Sequence, residues 1–171
     1  MNNYSYQEKL RKIWQEAVTY YRKGNRNPDS YFSGSILKEL DSIGLNKIDV
    51  YDYVEDYVSE GEPDFETFLL VSSVRRDYLF FVQAGKKSTK LIDSSSLPAK
   101  EAMINGIVWL PRIMHKAWAK LRGELPPETM YGCGGDRRFF KKHNIHPADF
   151  LRAAWAFEDD ESKLTDWVIT Q

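Results

Sequence analysis

The sequence predicts an all-α protein, a single-domain bundle of six to eight helices covering residues 1–171. Three observations lead there. Apolar residues recur three and four positions apart through most of the chain. Glycine and proline punctuate these stretches at helix-length intervals. A chain of 171 residues, 42% hydrophobic and 29% charged, is long enough to bury a core and too apolar to stay disordered.

The elements follow in order. Ser5 and Glu8 form a capping-box pattern ahead of Leu10, Ile13, Trp14, Ala17, Val18 and Tyr21. Gly24 stands where that helix should stop. Pro28 and Asp29 open a second segment, with Phe32, Ile36, Leu37 and Leu40 inward and Gly44 as its end. Val50, Tyr53, Val54 and Tyr57 give a third stripe. Gly61-Glu62-Pro63 breaks the chain, and Asp64 caps a dense apolar segment from Phe65 to Gln83. Its last part, Tyr78 to Gln83, also fits a strand, so a short hairpin near 78–92 is the alternative there. Asp93-Ser94-Ser95-Ser96 reads as a loop. Helix is expected again near Pro98, weakened by Gly106, and Pro111 starts a new helix at its first turn. Ile113, Met114, Ala117 and Leu121 line that helix up to Gly123. Residues 125–135 form a loop, and Gly135 or Asp136 caps a short helix running to about His143. Pro147 and Asp160 begin the last two.

Composition excludes several functions. One cysteine rules out an internal disulfide framework and Cys-rich zinc modules. A net charge of -1 argues against a general nucleic-acid binder. No apolar run is long enough to span a membrane, and the N-terminus has no signal core, so the expectation is a soluble cytoplasmic protein. The near-zero charge conceals segregation. Residues 49–66 carry eight acidic side chains and no Lys or Arg, whereas residues 112–142 carry eight basic ones against Glu124, Glu128 and Asp136. Asp52, Glu55 and Asp56 share a helix face, but no recognised metal-binding spacing accompanies them, so neither a metal nor another cofactor is expected.

The most specific stretch is Met130-Tyr131-Gly132-Cys133-Gly134-Gly135-Asp136-Arg137-Arg138-Phe139. Glycines at this density free the backbone to turn its N–H groups into a concavity. A helix that starts directly afterwards favours an anion at its N-terminus, and Arg137 and Arg138 add charge-assisted donors. Cys133 in that field has the setting of a reactive thiolate. The simpler alternative is a tight loop with a small packed cysteine and Asp136 as a cap. The stretch matches neither a P-loop nor a dinucleotide-binding fingerprint. A nucleophilic cysteine needs a base, and of the three histidines His115 is the better partner, because a helix separates Cys133 from His143 and His146. Arg75-Arg76-Asp77 interrupts the most apolar segment, so at least one of these charges is buried and paired, or an arginine points into a pocket. Arg112 sits at a helix start, where a cation is disfavoured and something else must hold it.

The string Leu110-Pro111-Arg112-x3-Lys116-Ala117-x-Ala119-Lys120-Leu121-x-Gly123, then Asp136-Arg137-Arg138-Phe139-Phe140, Asp149-Phe150-Leu151 and Trp167, resembles a family of small bacterial proteins known only as a domain of unknown function. The likeness covers roughly residues 106–168. It implies a bacterial origin and a mainly helical domain, and it carries no activity or site residues.

Two functions are consistent with these features. One is a small enzyme or binding protein for an anionic small molecule. Cys133 and His115 would be its catalytic groups, and Arg112, Gly134, Gly135, Asp136, Arg137, Arg138, Arg76 and Asp77 would bind the ligand. The other is a non-enzymatic interaction module that docks a basic partner on the acidic window and its tyrosines.

Overall fold

Leu10, Ile13, Trp14, Ala17, Val18 and Tyr21 fall on one face of the first helix, α1 (Tyr6–Arg22), and all six are buried. This is the stripe that helical spacing requires. The helix comes from a computed structural model that describes residues 1–171. The chain forms two compact units, residues 1–76 and 77–171.

In the first unit α1 packs on α3 (Lys47–Glu60), with α2 (Gly34–Asp41) between them in sequence. The expected second segment divides. Pro28–Ser30 is a single 3₁₀ turn, and regular helix starts only at Gly34. Its core is aromatic. Trp14 lies 5.1 Å from Phe68 and 5.8 Å from Phe65, ring centre to ring centre, and Tyr53 meets Phe68 edge-on at 5.4 Å. Such tilted and edge-on pairs are the favoured aromatic arrangements. α1 ends as expected: Gly24 has φ +87°, the left-handed conformation that glycine adopts without a Cβ clash.

Its start differs. Ser5 is the N-cap but makes no side-chain capping bond. The reciprocal box forms instead at α3. There the Asn46 side chain accepts from the backbone N–H groups of Ile48 (2.7 Å) and Asp49 (3.1 Å), and the Asp49 carboxylate accepts from Asn46 N (2.8 Å). Ser5 has φ -123° and ψ 9°, outside the extended conformation that aims an N-cap side chain at the first turn, whereas Asn46 is extended.

The chain passes from the first unit to the second within α4 (Phe65–Phe81). Asp64 caps this helix as expected, accepting from Thr67 N at 2.8 Å. The alternative of a hairpin near 78–92 is not realised. Residues 78–81 continue the helix, with Val82 N donating to Tyr78 O at 3.0 Å, and Gly85 N donates back to Leu79 O at 2.8 Å. Burial explains the outcome. Val71, Val74, Arg75 and Leu79 are buried at helical spacing, while Phe81 is 79% exposed, so the terminal aromatics have no opposing layer to make a strand of them.

The ribbon lies further on. β1 (Met103–Ile104) pairs antiparallel with β2 (Ile107–Val108), where a weakened helix was expected from Pro98. The turn is Asn105-Gly106, with φ +51° and +77°. Two successive positive φ values define the tight turn whose twist matches a hairpin, and Asn-Gly is its preferred dipeptide. After it come α5 (Leu110–Arg122), α6 (Gly134–Lys142), α7 (Pro147–Ala156) and α8 (Glu161–Ile169). α5 packs on α7 and α8. Leu110, Ile113, Met114, Ala117 and Leu121 are almost fully enclosed, as are Phe140, Phe150, Leu151 and Leu164. The Trp118 indole N–H donates across to Ala154 O at 3.1 Å.

The two capping geometries lead to opposite expectations. Asn46→Ala should lower stability toward urea by about 1 kcal/mol, because it strips two amides of their acceptor. Ser5→Ala should stay within about 0.5 kcal/mol of the parent.

Candidate functional site

The glycine loop and α5 converge on one carboxylate in the second unit. Asp136, at the third position of α6, has 0% exposure. Its Oδ1 accepts from the Trp109 indole N–H at 2.9 Å, and its Oδ2 accepts from Gly132 N at 2.9 Å and from the Lys116 ammonium. Lys116 is itself 3% exposed, and its Nζ also lies 3.5 Å from Cys133 Sγ. Trp109 and Lys116 are seven residues apart, two turns of α5, which places both on the face toward α6.

Cys133 is the N-cap of α6, partly exposed, with extended backbone and no side-chain capping bond. Its carbonyl accepts from Arg137 N at 2.9 Å. The glycines around it do three different jobs. Gly132 adopts φ +95°, which turns its N–H toward Asp136. Gly135 is needed for close approach, because a Cβ there would fall 2.4 Å from Trp109 Cζ2. Gly134 leaves room: a Cβ would meet only Arg137 Nη2 at 3.6 Å and Arg138 Nη1 at 3.7 Å. Both guanidiniums therefore lie over the first turn of α6. Arg138 is exposed and has no hydrogen bond or ion pair within the protein. Arg137 is 6% exposed, and its Nη1 donates to Gly132 O at 2.9 Å, which straps the loop.

Cys133, Gly134, Gly135, Asp136, Arg137 and Arg138 are thus together. Arg112, His115 and Arg76, also singled out from the sequence, are engaged elsewhere. Arg112 donates from Nη1 to Pro98 O at 2.7 Å, which answers what holds a cation at that helix start. His115, the expected base, faces away from Cys133: its Nε2 lies 3.2 Å from Glu161 Oε1 and its ring lies 5.7 Å from Trp118. The group beside the thiol is the next residue, Lys116. Arg76 lies in the first unit, donating to Asn3 Oδ1 at 2.6 Å and stacking over the Tyr6 ring at 4.6 Å. Asp77 opens the second unit within α4. Of the remaining histidines, His146 caps α7 through Nδ1, accepting from Ala148 N at 3.2 Å. His143 packs 4.7 Å from Phe139, and burial first, then Lys142, lowers its pKa from the ordinary value.

The acidic window lies on α3 and the start of α4. Tyr53 is buried, and Glu55 accepts from the hydroxyls of Tyr21 (3.0 Å) and Tyr51 (3.4 Å). Burial, then the Glu55 charge, pushes the Tyr51 hydroxyl up to about 12. No group of three or more His, Cys, Asp or Glu side chains is placed to hold a metal ion. No helix is long and apolar enough to cross a membrane. No protein-family model, curated protein or solved structure matches the chain.

The contrast between adjacent glycines is measurable. Gly135→Ala forces the Trp109 ring aside and should cost about 2 kcal/mol or more in urea unfolding. Gly134→Ala adds a methyl that meets the two arginine ends at ordinary contact distance, so stability should hold or rise by up to about 1 kcal/mol.

Proposed function

We propose that the start of α6 binds a small anion, a carboxylate or a phosphate, and that Cys133 is the reactive group beside it. One observation carries this reading. Lys116, Arg137 and Arg138 gather around Cys133 and Gly134 while the single carboxylate there, Asp136, is turned inward onto Lys116, Trp109 and Gly132 N. The inward bonds leave the backbone N–H of Gly134 and the Arg138 guanidinium for a ligand. A helix N-terminus with a guanidinium over its first turn is a favourable anion setting.

The roles divide as follows. Gly134 N–H and Arg138 take the anion. Lys116 places its ammonium 3.5 Å from Cys133 Sγ, so the sulfur and a bound anion share one positive neighbour. Asp136 acts through Lys116 by fixing the position of its ammonium. Arg112 and Arg137 hold backbone carbonyls and shape the loop.

Paired electrophiles test this on the unaltered protein. Iodoacetate carries a carboxylate and iodoacetamide does not, and both alkylate the same sulfur. The ratio of their rates at Cys133 should exceed the ratio at a free small-molecule thiol by about tenfold, the value of one charge-assisted hydrogen bond to the carboxylate. Inorganic phosphate should compete against iodoacetate and remove the excess. A ratio equal to that of the free thiol would leave Cys133 a packed loop residue and the proposal without support.

A further inference from the structure

The end of α4 and the loop after it form an exposed apolar tip on the second unit. Four of the chain's nine exposed large apolar side chains, Phe80, Phe81, Val82 and Leu91, fall between residues 80 and 91. Such a concentration marks a surface that meets something other than water. The loop is tied to the C-terminal end of α5. Gln83 Nε2 donates to Arg122 O at 3.0 Å, Ser88 Oγ donates to Glu124 Oε1 at 2.8 Å, and Ile92 N donates to Glu124 O at 2.9 Å. Val82 and Leu91 each stand next to one of these ties, so the apolar residues from both ends of the loop share one corner.

The same corner is basic. Lys86, Lys87 and Lys90 are exposed in the loop, and no acidic residue lies between Tyr78 and Ile92. Glu124 and Asp159 reach the end of α5, and both pair with Arg122, at 3.3 and 2.9 Å.

From this we infer that the corner docks on an anionic lipid surface. Phe81, Val82 and Leu91 enter the interface, and the lysines meet the head groups. The arrangement of the apolar residues selects lipid over protein. Phe80, Phe81 and Val82 follow one another on helically bonded backbone, about 100° apart around the axis. Leu79, just before them, is buried. A partner of fixed shape covers one face of a helix, whereas acyl chains close around all three exposed sides. Lysines directly beside the tip suit the negative potential of such a surface. A second copy of the chain would bring the same lysines together, which like charge opposes.

The test is flotation of the full chain with vesicles of phosphatidylcholine containing about 30% phosphatidylserine, and with phosphatidylcholine alone. The chain should float with the anionic vesicles and bind the neutral ones at least about tenfold more weakly. Phe81→Ser should weaken binding to the anionic vesicles about tenfold, and Lys86→Gln and Lys90→Gln about fivefold each. These three side chains are exposed, so the variants should keep the parent thermal melt. No flotation with anionic vesicles, equal flotation with neutral ones, or Phe81→Ser binding as tightly as the parent would each overturn the inference. Binding to soluble poly-L-glutamate that is equally lost in Phe81→Ser would assign the corner to an acidic protein and overturn it as well.

Discussion

An ionised carboxylate with no exposed surface costs several kcal/mol unless it is paired and its remaining lone pairs are satisfied, and Asp136 meets that demand with three donors from three places in the chain. Trp109 comes from the start of α5, Lys116 from two turns later, and Gly132 from the loop ahead of α6. Satisfying Asp136 therefore fixes where α5 and α6 lie against one another and what path the loop takes between them. Lys116 is equally dependent, since the residue is 3% exposed and its ammonium has Asp136 as its carboxylate partner.

The unusual backbone of this region follows from the same constraint. Trp109 adopts φ +75°, a conformation costing a non-glycine residue about 1 kcal/mol or more. That conformation lets its indole reach Asp136 while its ring covers Gly135, where no Cβ fits. Gly132 turns its N–H inward for the same acceptor, and Arg137 ties the Gly132 carbonyl. Cys133 is carried to the N-cap of α6 beside Lys116 by this arrangement, so the thiol environment is a consequence of the buried pair. The lock between α5 and α6 and the surroundings of the Cys133 thiol are built from the same atoms.

Much of this was readable in the chain. The amphipathic stripes of α1 and α5, the stops at Gly24 and Gly123, and the glycine loop opening a helix before Arg137 and Arg138 all follow from periodicity and backbone preference. What escaped depends on tertiary partners. His115 and Lys116 are adjacent, and only the packing of α5 on α8 sends His115 to Glu161 and leaves Lys116 for Asp136. The seven-residue spacing of Trp109 and Lys116 was a usable signal for a shared face, but nothing local says a lysine there is buried. Asn105-Gly106 was the plainest hairpin signal in the chain. The helix expected from Pro98 reads Gly106 only as a weak point, and the strands on either side of the turn are only two residues each. The run from Tyr78 to Val82 satisfied both periods, and the exposure of Phe81 decided for helix.

The central claim is that Lys116 and Asp136 act as one unit on which the second half of the chain depends. A double-mutant cycle of Lys116→Met and Asp136→Asn, read by urea unfolding, tests it most directly. Each single change should cost about 3–5 kcal/mol by leaving an uncompensated buried group. The pair together should cost less than their sum by about 2 kcal/mol or more. Costs that add to within about 0.5 kcal/mol would mean that the two residues stabilise the protein independently, and would contradict the account.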